Sequence, residues 1–581
     1  MATKKFINSI NNVVDETLSG LCFTYPQLNY YPPKKVILSS EWNNHNGKIA
    51  IISGGGSGHE PFAGGFVGRG MLTASIAGSV FAAPPANHIL YALNCVCNQE
   101  GALVIVPNYT GDCLNFGLAI EKARQKGLKI AEIVIDDDCS IPLEKQGRAG
   151  KRGLVGILFV IKIVGALAEQ GKSLEEVYNH AEIIAKNIAT YGVALRPCSL
   201  PGHGPMFKMP EDEVEIGLGV HGEAGYDRIK MKSATEMVEI IIENISKSLE
   251  LIDSDSVIVL INNFGGVSQL EQGIIVHEVI TQLRIKNIKA LRIYSGVLMT
   301  SLDSAGVHVS VLKLPKQYQD LYINCLDERT DAPCWPGCSY SIPNVDSKPD
   351  SLMEEECQTI VPIGRKLNEH ECALLKRCLA NACNAIIKHK DKLNDLDRGC
   401  GDGDCGSTHN LLANGILSSL ESLQVSYPAT LLAELSKIAE ECMGGTSGAV
   451  YSLLFTAGAS ALAKANDKDD WRKSWSRAWR CAIDSVMKYS KARPGDRTML
   501  DALNPAWEIF NKYANNELTY EEAINLVAKS ARSGCDATKK MNPNAGRASY
   551  VKQMEFLQDV DAGAFGVVIW IEAITKTLLN M

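Results

Sequence analysis

Ser53-Gly-Gly-Gly-Ser-Gly-His59-Glu-Pro61 follows without a break on the apolar run Ile49 to Ile52. A β-branched run that delivers the chain into a glycine cluster reads as a strand followed by a ligand-facing loop. The glycines let backbone N–H groups approach a ligand closely. The spacing is not that of a dinucleotide-binding GxGxxG, because position 59 is His. The same rhythm returns at Ala102 to Val106, Ile130 to Ile135 and Val257 to Ile261, each followed closely by Gly, Asn or Asp. Helical stretches such as Leu114 to Lys126 and Glu236 to Leu251 lie between. This alternation predicts α/β layering over the first half of the chain.

The rhythm fails around Thr330 to Lys366, where Pro333, Pro336, Gly337, Pro343, Pro349 and Pro362 interrupt the chain. That stretch reads as an interdomain linker. Beyond it the periodicity turns helical: Glu371 to Lys388, Ala429 to Met443, Ser447 to Ala465, Trp471 to Ser490 and Glu521 to Ser533 are helix-length, and strand-like runs nearly vanish. The expected organisation is an α/β domain over 1–336, a linker over 337–367 and an all-α domain over 368–581.

Composition narrows the function. Of 581 residues, 46% are hydrophobic and 21% charged, enough apolar material for large cores. The formal charge of -8, without a Lys/Arg-rich run, predicts no nucleic-acid partner. The 18 cysteines are about 3% of the chain, too sparse for a disulfide scaffold, and they form no zinc pattern. Reduced thiols in the cytoplasm fit better. Met1-Ala-Thr-Lys-Lys-Phe opens no apolar run of signal-peptide length. Lys162 breaks the run Gly156 to Ala168, and Glu572 and Lys576 break Phe565 to Leu579, so no membrane span is expected.

Three elements of the first half carry chemistry. His59 closes the glycine strap, and Gly56, Ser57 and Gly58 line its approach. Gly217-Leu-Gly-Val-His221-Gly-Glu-Ala-Gly225 sets a second histidine among glycines. Asn108-Tyr-Thr-Gly-Asp112 places an aspartate just past a strand end, suited to a general base. A neutral imidazole adds to a ketone or aldehyde, so two histidines beside a carboxylate suit capture of a carbonyl substrate.

In the helical half, Asp397, Asp402 and Asp404 fall within eight residues, spaced by glycines. Such carboxylates repel one another unless a cation is bound, and hard oxygens suit Mg²⁺ or Mn²⁺. An EF-hand is excluded because Ala413 stands where its Glu is required. Gly165 to Ser173 mimics a P-loop but holds five residues between its glycines and follows a helix, not a strand. Further candidates for phosphate are Cys405-Gly406-Ser407-Thr408, Thr446 and Ser447 at a helix start, Asp496 and Arg497, Gly546 to Tyr550, and Asp561-Ala562-Gly563.

These motifs, in this order, resemble the dihydroxyacetone kinase family, in particular its animal-type bifunctional members. The resemblance spans nearly the whole chain except the linker. It implies an N-terminal substrate-binding domain of two α/β subdomains and a C-terminal helical-barrel nucleotide-binding domain. It implies that His221 forms a hemiaminal with the triose carbonyl, Asp112 acts as base, and Gly56 to His59 contact substrate. It also implies that Asp397, Asp402 and Asp404 hold Mg²⁺ under ATP, and that the protein is a homodimer in which one chain's helical domain caps the other's substrate domain. The chain departs from the pattern at Pro107, where the family usually has Lys, and at Ala562 in a DPGA motif. Three functions follow: ATP-dependent phosphorylation of dihydroxyacetone and glyceraldehyde; cleavage of FAD to AMP and cyclic FMN, favouring Mn²⁺; and non-catalytic regulatory binding of triose or nucleotide.

Overall fold

The computed structural model describes residues 2–44, 47–142, 146–340, 362–398, 400–466, 468–545, 549 and 558–580. The chain divides into two compact units, Met1–Leu352 and Met353–Met581. Most of the expected linker, and most of Gly546 to Tyr550, lie outside the described residues.

The first unit carries two six-stranded sheets. One holds β1 (Leu28–Tyr31), β2 (Val36–Ser39), β3 (Ala50–Ser57), β4 (Ala74–Val80), β5 (Ala102–Pro107) and β6 (Ile130–Ile135), in the order β1-β2-β4-β3-β5-β6. Its last four strands are parallel, as the βα rhythm requires. The other holds β7 (Ile188–Arg196), β8 (Glu213–Ile216), β9 (Asp227–Lys230), β10 (Ser256–Asn263), β11 (Lys289–Gly296) and β12 (Ala305–Lys313), in the order β11-β10-β12-β7-β8-β9. There only β10 and β11 run parallel.

The helices of this unit are α1 (Val13–Thr24), α2 (Ala86–Val96), α3 (Thr110–Gln125), α4 (Ile157–Glu169), α5 (Leu174–Lys186), α6 (Ala234–Ser248), α7 (Gln269–Ile285) and α8 (Gln319–Asp327). Capping boxes start three of them: Ser173 with Glu176, Ser233 with Glu236 and Ser268 with Glu271. Helix α4 is apolar all round and almost wholly buried. It shares one core with Leu103 and Ile105 of the first sheet and Ile258, Leu260 and Leu312 of the second. Lys162, expected to break this run, is buried instead, its ammonium donating to the Cys325 carbonyl. One core spanning both sheets fixes the loops at their edges relative to each other.

The strap reading needs one correction. Strand β3 does not stop at Ile52 but runs through the glycines to Ser57. A Cβ at Gly54 would stand 2.2 Å from the Ile76 carbonyl oxygen, and one at Gly56 2.9 Å from the Ala82 nitrogen. The glycines let neighbouring backbone pack against β3, and the ligand-facing turn begins only at Gly58.

The second unit is helical: α9 (Glu369–Lys388), α10 (Lys390–Asp397), α11 (Cys405–Ser419), α12 (Pro428–Cys442), α13 (Gly445–Leu462), α14 (Trp471–Ser490), α15 (Leu500–Ala514), α16 (Tyr520–Ala537) and α17 (Ala562–Leu579). Helix packs on helix around a closed ring, α9-α11-α12-α13-α14-α15-α16-α17 and back to α9. Helix α17 contains the run Phe565 to Leu579. It is the one described helix long and apolar enough to cross a membrane, with mean hydropathy 1.5, and half of it is buried within the protein. Val567 and Val568 are fully buried in the helical core. Glu572, one of the charges expected to break the run, pairs with Arg532 at 2.7 Å.

Candidate active site

In the first unit, the loops after β3, β5, β8 and β11 meet. His59 follows β3 and is 4% exposed. Its Nδ1 lies 3.0 Å from the Thr300 carbonyl after β11, which can only accept. Nδ1 therefore carries the proton, and Nε2 is left with a free lone pair, buried and unpartnered. The Thr300 N–H donates back to the His59 carbonyl, and Leu302 N–H to that of Gly58. The glycine strap of one sheet is thus tied to a loop of the other.

His221 lies in the loop between β8 and β9. Its ring stands edge-on to those of His59, Phe81 and Tyr109, with centroids 4.9, 5.4 and 4.4 Å away. Burial lowers the pKa of His221, and burial together with His221 lowers that of His59 to about 3. Both imidazoles are neutral at pH 7, the form in which a ring nitrogen is nucleophilic.

Asp112 was expected in a loop past a strand end. It sits instead in the first turn of α3, whose N-cap is Tyr109. A helix N-terminus favours the carboxylate. Burial outweighs it: Asp112 is 4% exposed, its Oδ1 has no partner, and its pKa is pushed up to about 7. A carboxyl that ionises near neutrality is matched to general-base work. Among the described residues no basic side chain offsets this, and position 107, the last of β5, is proline. A Cβ at Gly55 would lie 3.8 Å from Asp112 Oδ1 and 3.9 Å from Pro107 Cγ, so strap, base and proline share one wall.

Of the expected substrate contacts, the Ser57 hydroxyl is spent on the Gly78 carbonyl. The Gly58 N–H donates to the Glu60 carboxylate at 3.0 Å. Sequence reasoning passed over Phe81, Tyr109 and Thr300, which frame the histidines, and Arg152, which braces the His221 loop. It also missed His308, fully buried in β12 against Phe264 (centroids 4.4 Å apart), its ring facing the Leu218 backbone of the His221 loop. The one signal for His308 was a histidine within the apolar run Val307 to Leu312.

In the second unit, Asp397 ends α10 and accepts three backbone N–H groups on Oδ2, from Gly403, Asp404 and Cys405 at 2.9, 3.1 and 3.3 Å. A Cβ at Gly401 would meet its other oxygen at 2.2 Å, so glycine leaves that oxygen room. Asp402 and Asp404 are exposed on the same loop. Cys405 to Thr408 form the first turn of α11. Burial raises the Cys405 thiol pKa, with the charges of Asp397, Asp561 and Asp404 adding to it. Several carboxylates therefore act on one point. Among the described residues no group of three or more His, Cys, Asp or Glu side chains already stands in a ligating cluster. The donors fit a hard divalent cation in chemistry, with a residual oxygen on Asp397 and two exposed carboxylates beside it.

The expected phosphate-facing residues divide. Thr446 and Ser447 lie in the first turn of α13 and are exposed or half-buried. Asp496 is occupied within its own turn, accepting from Arg493 N at 2.7 Å. Arg497 is 2% exposed and donates to the Asp559 carbonyl at 2.8 Å, while its Nε is buried without a partner. Asp561 caps α17 by accepting from Ala564 N, and burial raises its pKa to about 6. Ala562 and Gly563 begin α17. Asp501, not singled out from sequence, organises the turn by accepting from Gly495 N and Thr498 N.

An α/β unit with a glycine strap and two neutral histidines, joined to a closed ring of helices, defines a two-domain architecture. Residues 19–334 match the Dak1 domain and residues 399–576 the DAK2 domain. The chain is 38% identical to triokinase/FMN cyclase of Homo sapiens, over all of both chains. It is 37% identical to that of Mus musculus, over 100% of this chain and 99% of the relative. The crystal structure of the dihydroxyacetone kinase from C. freundii in complex with AMP-PNP and Mg²⁺ matches with a TM-score of 0.66 at 29% identity, covering 99% of this chain and all of the other. The chain belongs to the dihydroxyacetone kinase family.

Proposed function

We propose that this chain transfers the γ-phosphoryl group of ATP to dihydroxyacetone, and to glyceraldehyde as a second substrate. The observation that carries the reading is the convergence of two neutral histidines and a carboxyl of pKa about 7 on one glycine strap, in a chain related over its full length to triokinases. A ring nitrogen of His221 adds to the carbonyl carbon; the imidazole loses its N–H proton and the carbonyl oxygen gains one. The resulting hemiaminal selects keto- and aldo-trioses over glycerol, which has no carbonyl. Asp112, ionised, takes the proton of a free hydroxyl as that oxygen attacks the γ-phosphorus. The bond to ADP breaks, and ADP leaves with the electron pair. His59 offers its Nε2 lone pair to a substrate hydroxyl.

In the helical unit, Asp397, Asp402 and Asp404 would hold Mg²⁺, which supplies charge neutralisation on the phosphates. The backbone N–H groups of Cys405 to Thr408, with Thr446, Ser447, Arg497 and Asp561 to Gly563, border the nucleotide. The full-length relationship to triokinase/FMN cyclases favours a second activity of this unit, cleavage of FAD to AMP and cyclic FMN with Mn²⁺. A homodimer and a cytoplasmic setting complete the reading. The described cysteines are free thiols, in keeping with a reducing compartment. The test is purified protein given ATP–Mg²⁺ with dihydroxyacetone, beside FAD–Mn²⁺. Dihydroxyacetone phosphate is expected in the first assay; its absence at saturating triose overturns the kinase reading.

A further inference from the structure

The loop that carries His221 has no secondary structure of its own between Ile216 and Asp227. Its glycines make it easy to deform, and Gly217 and Gly222 hold left-handed backbone angles of 71° and 68°. A nucleophile on such a loop needs an external brace, because an ångström of misplacement is costly. One side chain bonds the loop on both sides of His221. Arg152 donates through Nη2 to the Gly217 carbonyl at 2.5 Å, before His221, and through Nη1 to Glu223 at 3.0 Å, after it. Its Nε donates to Asp138 at 2.8 Å, and the Asp138 side chain is fully buried. Asp138 is itself fixed by accepting from the Ser140 N–H and hydroxyl.

The loop sequence is cut to fit this arginine. A Cβ at Gly219 would stand 1.7 Å from Glu223 Oε1 and 2.7 Å from Arg152 Nη1. On the other side of the loop, the Tyr109 ring meets His221 edge-on, and its buried hydroxyl faces the Val220 backbone beside it. Tyr109 is also the N-cap of the helix that carries Asp112. The brace therefore sets the nucleophile against the element that holds the base.

We propose that Arg152 is a positioning residue of the carbonyl-capturing loop in the reaction proposed above: by tying Gly217 and Glu223 to the buried Asp138, it aims the His221 ring at the carbonyl carbon of the triose. The proposal rests on the reading of His221 given above. It concerns alignment, not chemistry, since Arg152 reaches the loop and not the substrate.

The experiment is carbon-13 NMR of dihydroxyacetone labelled at its carbonyl, bound to the full-length protein, with steady-state kinetics and thermal melting on the same samples. The wild type is expected to show a tetrahedral carbon in place of the trigonal one. Arg152→Met should lose that signal and about a hundredfold in kcat/KM for triose, with affinity for AMP-PNP unchanged. Arg152→Lys should recover part of both. Glu223→Gln, which keeps volume and leaves the Asp138 pair intact, should fold normally and lose part of the signal. A tetrahedral carbon missing from the wild type overturns the His221 reading and the inference with it. A wild-type signal that survives in Arg152→Met overturns the inference alone. So does a full signal in Glu223→Gln if the two Arg152 variants fail to fold.

Discussion

The rings of His59 and His221 stand edge to face, 4.9 Å between centroids and 82° between planes. One comes from the loop after β3 and the other from the loop after β8, so each of the two sheets supplies one imidazole. Burial keeps both rings neutral, and for His59 the neighbouring His221 adds to it. His59→Asn can still donate to the Thr300 carbonyl but has no Nε2 lone pair. We expect kcat for triose to fall by about a hundredfold or more, the usual range for a lost acid–base group, with little change in melting temperature. Kinetics and melting on the same variant check this.

We expect Asp112 to set the pH dependence. Its folded pKa of about 7 lies above the ordinary 3.8, raised by burial. The base is active when ionised, so kcat/KM for triose should rise with pH and level off above about pH 7. Linkage gives the opposite sign for stability: the fold binds the proton more tightly than the unfolded chain, so this group's contribution declines between pH 3.8 and 7. Asp112→Asn should abolish the activity limb and flatten that decline. pH–rate profiles and pH-dependent melting of both proteins test the pair of signs.

Pro107 brings an apolar ring to the wall where the family usually places an ammonium. Pro107→Lys adds a cation near Asp112, which lowers a carboxyl pKa. It also adds a charge-assisted hydrogen bond, worth roughly 1.5–3 kcal/mol or about ten- to a hundredfold in binding. KM for dihydroxyacetone should fall, and the pH–rate limb should move to lower pH. An unchanged KM and limb would show that position 107 does not reach the substrate.

Asp404 is exposed on the loop that follows Asp397. Asp404→Ala should remove phosphorylation and FAD cleavage together, since both need metal held against phosphate, while melting changes little. Metal titrations of each activity read this out. Full turnover with ordinary metal dependence would remove Asp404 from the metal site.

The sequence was most legible where local chemistry decides structure. Trp471 to Ser490 is found as read, because an apolar stripe and the Asp470 cap mark it. Helix α11 was missed because the glycine-spaced Gly401 to Gly406 reads as loop into its first turn; the N–H groups collected by Asp397 let it start at Cys405. Asp112 was assigned to a loop because Asn-Tyr-Thr-Gly is turn chemistry, yet α3 begins within it. The brace on His221 was beyond reach. Arg152 is 65 residues from Gly217 and 71 from Glu223, and no periodicity joins positions that only the two-sheet core brings together.

The most direct test of the account is His221→Ala assayed for both activities in one preparation. On the proposed reading carbonyl capture belongs to the α/β unit alone, so phosphorylation of dihydroxyacetone should fall to background while FAD–Mn²⁺ cleavage stays at the wild-type rate. Retained triose phosphorylation, or equal loss of both activities in a variant that melts like the wild type, would contradict it.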